Sequence, residues 1–515
     1  PASYPFPPHF FLPGRPLLAT ACLQGPTDHK VHPTMTRSLC SALAVTLGLL
    51  VLAACTGESP TEPPASAPED PLSRTAFLDT VQKRTFDFFW ETTPRETGLT
   101  PDRWPDPPFS SVAAVGFALT AYPIGVERGY VSREQARDRT LQTLRFFWEA
   151  PQGADPSGMM GHRGFFYHFV DMQSGERFQT VELSTIDTAL FLMGARTAAQ
   201  YFDGSHPDAR AIRAYSDSLY RRVEWDWMQL DDGLISMGWK PSEGRFDWGY
   251  EGYDEAMFLY VLGLGSPTHP VDESAWPAFT STYDWSSFYG QPHVNFAPLF
   301  GHQYAHVWID FRDIQDPYMR QKGIDYFENS RRAVLAQKAY AEDNPSDFRG
   351  YGENVWGWTA SDGPGDTTVT VDGTERTFRG YWARGVAQGD IRDDGTIAPT
   401  AAGGSVPFAP DATIAALRTM KQRYGKTLFG QYGYHDALNP TYTLSAPPPD
   451  GGTVTPNGWV DDEYLGIDQG PILAMIENHR TGMIWSLLRE DPVIVRGLCR
   501  AGFRGGWLAG RCEQS

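Results

Sequence analysis

The chain has 515 residues, a formal net charge of −19, 41% hydrophobic residues and 13% aromatics, including 16 tryptophans. That is enough for one large domain or two to three small ones. The acidic balance repels nucleic-acid phosphate and anionic lipid, so neither is expected as a partner. The aromatics suit a large core, the plainer reading for most of them, and also suit sugar binding, because the apolar face of a pyranose stacks on an aromatic ring.

Taken in chain order, the N-terminus reads as an address. From Met35 the sequence has the form of a signal peptide, with Arg37 as a short positive region and Leu39–Leu52 as an apolar stretch too short to span a bilayer comfortably. It ends in Leu52-Ala53-Ala54-Cys55, which resembles a bacterial lipobox and implies cleavage before Cys55 and lipidation of Cys55. Residues 1–34, Pro-rich and aperiodic, read as an upstream extension, 35–54 as the signal peptide, and 55–71, rich in Pro, Ser, Thr, Glu and Ala, as a flexible tether. Thr56 is not the Asp that marks inner-membrane retention. The expectation is a monomer in the bacterial envelope, at the outer membrane or periplasm, touching the membrane only through its lipid. Cys22 and Cys40 fall in the segments ahead of Cys55, while Cys499 and Cys512 could close a short loop in an oxidising compartment.

From Leu72 onward helical period dominates. Phe77, Val81, Phe88, Phe89 and Trp90 mark a first amphipathic helix, and Val112–Ile124 a second. A third starts at Ser132, with Gln135 completing a capping-box pattern, and runs through Leu141, Leu144 and Phe147. Further helices are expected over 183–202, 207–229, 251–264, 296–310, 318–342, 410–424 and 470–490, with 274–289 and 426–438 ambiguous. Between them lie loops 151–181, 229–250, 344–409 and 433–468, longer than is usual unless they carry function. Val369–Val371, Asp372-Gly373 and Thr374–Phe378 read as a small β-hairpin. No compositional break interrupts Leu72 to Arg511, so 72–515 is read as one all-α domain, an (α/α)-barrel of two concentric helical rings. A helical solenoid is the alternative, although no repeat of fixed length is visible.

The sequence has no Walker loop, Rossmann glycine fingerprint or Gly-x-Ser-x-Gly elbow. His302 and His306 have zinc-ligand spacing, but Gln303 stands where zinc proteases carry Glu. They read instead as a polar helix face lining a pocket, and neither metal nor cofactor is expected. Carboxylates among aromatic and Gly-rich neighbours stand out, and glycosidic cleavage needs two of them, an acid and a base or nucleophile. In Glu182–Thr188, Asp187 sits three residues after Ser184 in a capping pattern, while Glu182 lies just outside the helix start. In Trp248–Met257, Glu251 and Glu255 share a face if the helix begins there, and their crowding with Asp254 raises a pKa as a general acid requires. The alternative is a solvated first turn. Trp248, Tyr250 and Tyr253 flank them. In Trp356–Pro364, Trp356 and Trp358 suit sugar stacking, with Asp362 as turn residue or hydroxyl acceptor. Asp393-Asp394-Gly395 reads as a plain turn. In Trp459–Pro471, Asp462 joins the acidic run beside Trp459, and Asp468 caps a helix opened by Pro471, where it could stay ionised as a base.

These stretches together resemble the glycoamylase-like family, glycoside hydrolase family 144 and its relatives. The similar segments are Glu182–Leu190, Gly252–Leu259, Gly301–Arg312, Gly357–Pro364, Asp394–Ser405 and Tyr464–Gly482, in order over most of the chain. The resemblance implies an (α/α)6 barrel and metal-free, inverting hydrolysis of β-1,2-glucan. Glu182, Glu251 and Asp468 are the expected acid/base residues, with Asp187, Glu255 and Asp462 supporting, and the resemblance adds weight to the clusters around Glu182 and Glu251; Trp248, Tyr250, Tyr253, His302, Trp356, Trp358, Asp362 and Trp459 are expected to bind substrate. Thr367–Phe378 and Pro447–Val454 depart from the family's usual spacing as loop insertions near the presumed cleft. They leave open endo against exo, sophorose-releasing action, or a β-glucosidase on another linkage. A surface lipoprotein that captures glycan without cutting it would need the aromatics but not the carboxylates.

Overall fold

The computed structural model describes residues 73–445 and 447–513. The expected leader, Cys55 and tether lie outside the described residues. Six helices are buried on nearly every side: Val112–Glu127, Thr185–Tyr201, Met257–Gly265, Phe300–Trp308, Pro399–Gly403 and Gly466–Arg480. Their sequences explain this. Met257–Gly265 is apolar at all positions but its glycines, and every residue in it is buried, as a helix apolar all round must be. Around them run helices with one buried stripe, among them Arg74–Thr92, Arg133–Glu149, Pro207–Arg222, Tyr326–Asp343, Pro410–Tyr424 and Pro492–Arg500. The architecture is the expected all-α, (α/α)6 double ring.

Local chemistry sets many of the boundaries. Ser132 accepts from the Gln135 amide and the Gln135 side chain accepts from the Ser132 amide, the capping box read from sequence. The hairpin is present over Thr367–Val371 and Thr374–Phe378, turned by Asp372 and Gly373 at φ 51° and 81°, the left-handed values such a two-residue turn demands. The helix expected over 318–342 is two, Pro317–Lys322 and Tyr326–Asp343, because Gly323 ends the first in a left-handed cap. The ambiguous stretches resolve as a short helix, Ala275–Thr280, a hairpin over Trp285–Val294, and a second small hairpin at Phe429–Tyr434. Cys499 and Cys512 form a disulfide with Cα atoms 5.3 Å apart.

Two boundaries differ where function was sought. The helix expected from 251 begins at Met257, so Glu251 and Glu255 do not share a helical turn. The last inner helix begins at Gly466, which puts Asp468 inside its first turn and Pro471 inside the helix. Asp468 is therefore not a cap. The described residues pack as one compact unit, and none of their helices is long and apolar enough to cross a membrane.

Candidate active site

One wall is built where a strand becomes an inner helix. Leu183–Ser184 lies in a five-stranded sheet between Phe165–Tyr167 and Gly238–Lys240. Ser184 caps the following helix by accepting from the Asp187 amide, and its hydroxyl donates to the Asp187 carboxylate. This fixes Asp187, buried, against the barrel mouth. His168, brought over by the neighbouring strands, puts Nδ1 2.9 Å from Glu182 Oε1 and Nε2 3.7 Å from Asp187 Oδ2. Burial favours neutral His168, but the charges of Asp187 and Glu182 outweigh it and push its pKa up to about 9. Burial likewise opposes ionised Glu182, but His168 outweighs it, by charge and by hydrogen bond, and holds the carboxyl down to about 2. Burial raises Asp187.

Beside this pair stands a carboxyl with the opposite tendency. Burial pushes half-buried Glu255 up to about 7, with the Asp187 charge acting in the same direction. Asp254 is fully enclosed, accepts from the Ala256 amide at 2.8 Å, and is raised by burial and then by Glu255. Tyr250, buried, feels the charges of Glu255, Asp187, Asp254 and Glu182.

The facing wall comes from remote loops. Arg103-Trp104 pairs antiparallel with Tyr464-Leu465, and the Gly466 amide donates to the Asp102 carbonyl at 2.7 Å. Asp102 and Arg103 thus sit at the head of the helix carrying Asp468. Arg103 bridges Asp362 at 3.2 Å and Glu463 at 2.5 Å. Asp436 accepts from the Asp362 amide at 2.7 Å and is hydrogen-bonded to Asp468, while buried Asp461 keeps one oxygen without a protein partner among the described residues. Burial and then Asp436 raise Asp468, and burial and then Asp362 push Asp436 up to about 7. Oxygens of Asp362, Asp436 and Asp461 lie within 4.8 Å of one another, close enough to share a cation, although Arg103 already supplies positive charge to Asp362. Bare acceptors of this kind suit sugar hydroxyl donors equally well.

The two walls lie within electrostatic reach of each other. Asp102 feels His168 and Asp187 on one side and Asp362 on the other. Buried Tyr304 feels both Asp468 and Glu255. Carboxyls from distant segments therefore converge among phenol rings, with an ionised one, Glu182, and a proton-holding one, Glu255, in the same site.

Several expected site residues have settings other than those expected. Glu251 is exposed in the turn ahead of its helix, and Asp462 is exposed while its neighbour Asp461 is buried. Trp356, Trp358 and Trp459 are almost wholly buried and serve as core. Trp358 donates to Asp393 at 3.1 Å and Trp459 to the Gly451 carbonyl at 2.8 Å. His302 is fully buried, with Nε2 3.2 Å from the Phe296 carbonyl, and Tyr253 stacks on Tyr326 in the core. Asp393 and Asp394 are not a plain turn. Asp393 takes hydrogen bonds from Tyr340, Tyr351 and Trp358, and Asp394 pairs through two oxygens with buried Arg384, which holds the Asp362 loop by its carbonyls. Conversely, His168, Asp102, Arg103, Asp436 and Asp461 were not singled out by sequence. Only Asp461 carried a signal, its place in an acidic run after a tryptophan.

Residues 246–492 match the glycoamylase family model. A glucoamylase-like protein of Bacteroides uniformis is 30% identical over 85% of this chain and all of its own, with a TM-score of 0.71. The endo-β-1,2-glucanase of Chitinophaga pinensis, solved with sophorotriose and glucose, is 26% identical over 85% of this chain and all of its own, with a TM-score of 0.70. An exo-β-1,2-glucooligosaccharide sophorohydrolase acting at the non-reducing end, from Parabacteroides distasonis, is 28% identical over 84% of this chain, which spans only 58% of that relative's length.

Proposed function

The chain belongs to the glycoamylase-like family, and from that premise we propose that it is a glycoside hydrolase that cleaves β-1,2-glucan by endo attack with inversion. The observation that carries this is that Glu182, Asp187, Glu255 and Asp468, from distant segments, lie within electrostatic reach of one another beside buried Tyr250 and Tyr304, with opposite protonation tendencies among them. Glu255 is the general acid: burial keeps it protonated to about pH 7, so it can give its proton to the leaving glycosidic oxygen. Asp468 is the general base. It shares a proton with Asp436, so the pair carries one negative charge that can draw a proton from water. The His168 cation keeps Glu182 ionised and places both it and Asp187 beside the acid. Asp362, Asp436, Asp461 and Arg103 line the opposite wall as hydroxyl partners.

The sophorohydrolase relative supports a second reading, exo release of sophorose. Chromatography of products over time on linear β-1,2-glucan separates the two. A spread of lengths at early times supports endo action, sophorose alone supports exo action, and no products on any linear β-glucan rejects the hydrolase. The Cys499–Cys512 bridge and the lipobox-like Leu52–Cys55 support placement in the oxidising bacterial envelope on a lipid anchor.

A further inference from the structure

Among the described residues four large apolar side chains are more than a third exposed: Trp148, Trp248, Tyr289 and Ile391. Arg222 lies over the ring of Trp148, and Tyr289 donates to Asp343. Trp248, 47% exposed, has a different setting. It stacks on buried Phe246 at 4.6 Å between centroids and 12° between planes. The pair is held at the edge of the sheet that carries Glu182: the Phe246 amide donates to the Gly238 carbonyl, the Met237 amide donates to the Trp248 carbonyl, and Gly238 pairs with Ser184.

Gly238 places this pair relative to the chemistry. A β-carbon there would lie 3.3 Å from Glu182 Cγ and 3.2 Å from the Phe246 ring, so the acidic side chain and the ring meet over one glycine. Lys240 spans the same ground, 5.9 Å from the Phe246 ring and with its charge acting on Glu182. Going outward, the order is Glu182, Phe246, Trp248. We infer that Trp248, backed by Phe246, is a distal sugar-binding platform of the catalytic cleft, stacking a glucosyl unit of the substrate chain beyond those that reach the carboxyls. An indole held flat by a second ring gives a pyranose a preorganised apolar face, and continuity with the Glu182 wall selects the chain being cut over any other apolar partner. The platform rests on the proposed glycan-binding reading of the site and adds to it a dependence on chain length.

The test uses full-length protein carrying Glu255→Gln, titrated calorimetrically with β-1,2-glucooligosaccharides of increasing length, with and without Trp248→Ala. Affinity is expected to rise with length and then level off, and Trp248→Ala to lose about tenfold on long chains and less than twofold on the shortest binder, the size of one stacking contact. Trp248→Phe should recover most of the loss. Equal loss at every length, or none, overturns the platform. Binding by the Glu255→Gln protein with the length-dependent Trp248 effect, but no cleavage by the wild type, would sink the hydrolase and leave the platform standing. No binding at any length sinks both.

Discussion

Replacing His168 by Gln removes the cation set between Glu182 and Asp187. Breaking a buried ion pair by removing one partner costs about 3–5 kcal/mol. Here the side chains of His168 and Glu182 keep 27% and 31% exposure, and water screens what remains, so the loss should be nearer 2–3 kcal/mol. With an unfolding entropy of about 2 cal/mol/K per residue over roughly 440 residues, each kcal/mol shifts Tm by only about 1 °C. Calorimetry at pH 6 should therefore find the variant about 2–3 °C lower. The pH dependence is the sharper readout. The His168 pKa is raised, so its stabilisation is whole below its ordinary value near 6.5 and is lost as pH rises through about 9. The Glu182 pKa is lowered, so its stabilisation is whole above about 4.5 and is lost as pH falls through about 2. The gap between wild type and variant should be widest near pH 5–6 and close toward pH 10. A gap of the same size at pH 6 and pH 10, or a variant more stable than wild type, would refute the bridging role of His168.

Glu255→Gln should lower kcat on β-1,2-glucan by about 10²–10⁴-fold and leave Tm unchanged or higher, since it removes a carboxyl whose ionisation its surroundings oppose. Wild-type kcat should fall as pH rises through about 7, and residual Glu255→Gln activity should lack that limb in a stopped assay of reducing ends. Trp358→Phe strips a donor from half-buried Asp393 and should cost about 1–3 kcal/mol in thermal unfolding while leaving activity per folded molecule within twofold. A large rise in KM would restore Trp358 as a sugar platform. Cys499→Ser should lower stability by about 3 kcal/mol, as expected for a bridge closing a short loop, with kcat unaffected.

What could be read in the sequence was what local chemistry writes. The Ser132–Gln135 box, the Asp372-Gly373 turn and the fully apolar Met257–Gly265 run each specify their own geometry. Glu182, Asp187, Glu255 and Asp468 drew notice in the sequence because each adjoins such an element. Their partners were not, because they arrive by long-range pairing: Arg103 reaches the site only through its ladder with Leu465, and Asp436 only through its contact with the Asp362 amide. The tryptophans misled for a related reason. Trp356, Trp358 and Trp459 sit in Gly-rich stretches, but those stretches fold inward as core, with Trp459 packing beside Tyr442 and beside Val371 and Phe378 of the hairpin. Helix starts decided the rest. A beginning at Met257 separates Glu251 from Glu255, and one at Gly466 turns Asp468 from a cap into a first-turn side chain facing Asp436.

Proton NMR of the reducing ends formed in the first minutes of β-1,2-glucan hydrolysis tests the pairing of a protonated Glu255 with a water-activating Asp468 most directly. Direct attack by water on the face opposite the acid gives the α-anomer first, with the β-anomer appearing only by mutarotation. Initial release of the β-anomer, or intact glucan after prolonged incubation with folded enzyme, would contradict it.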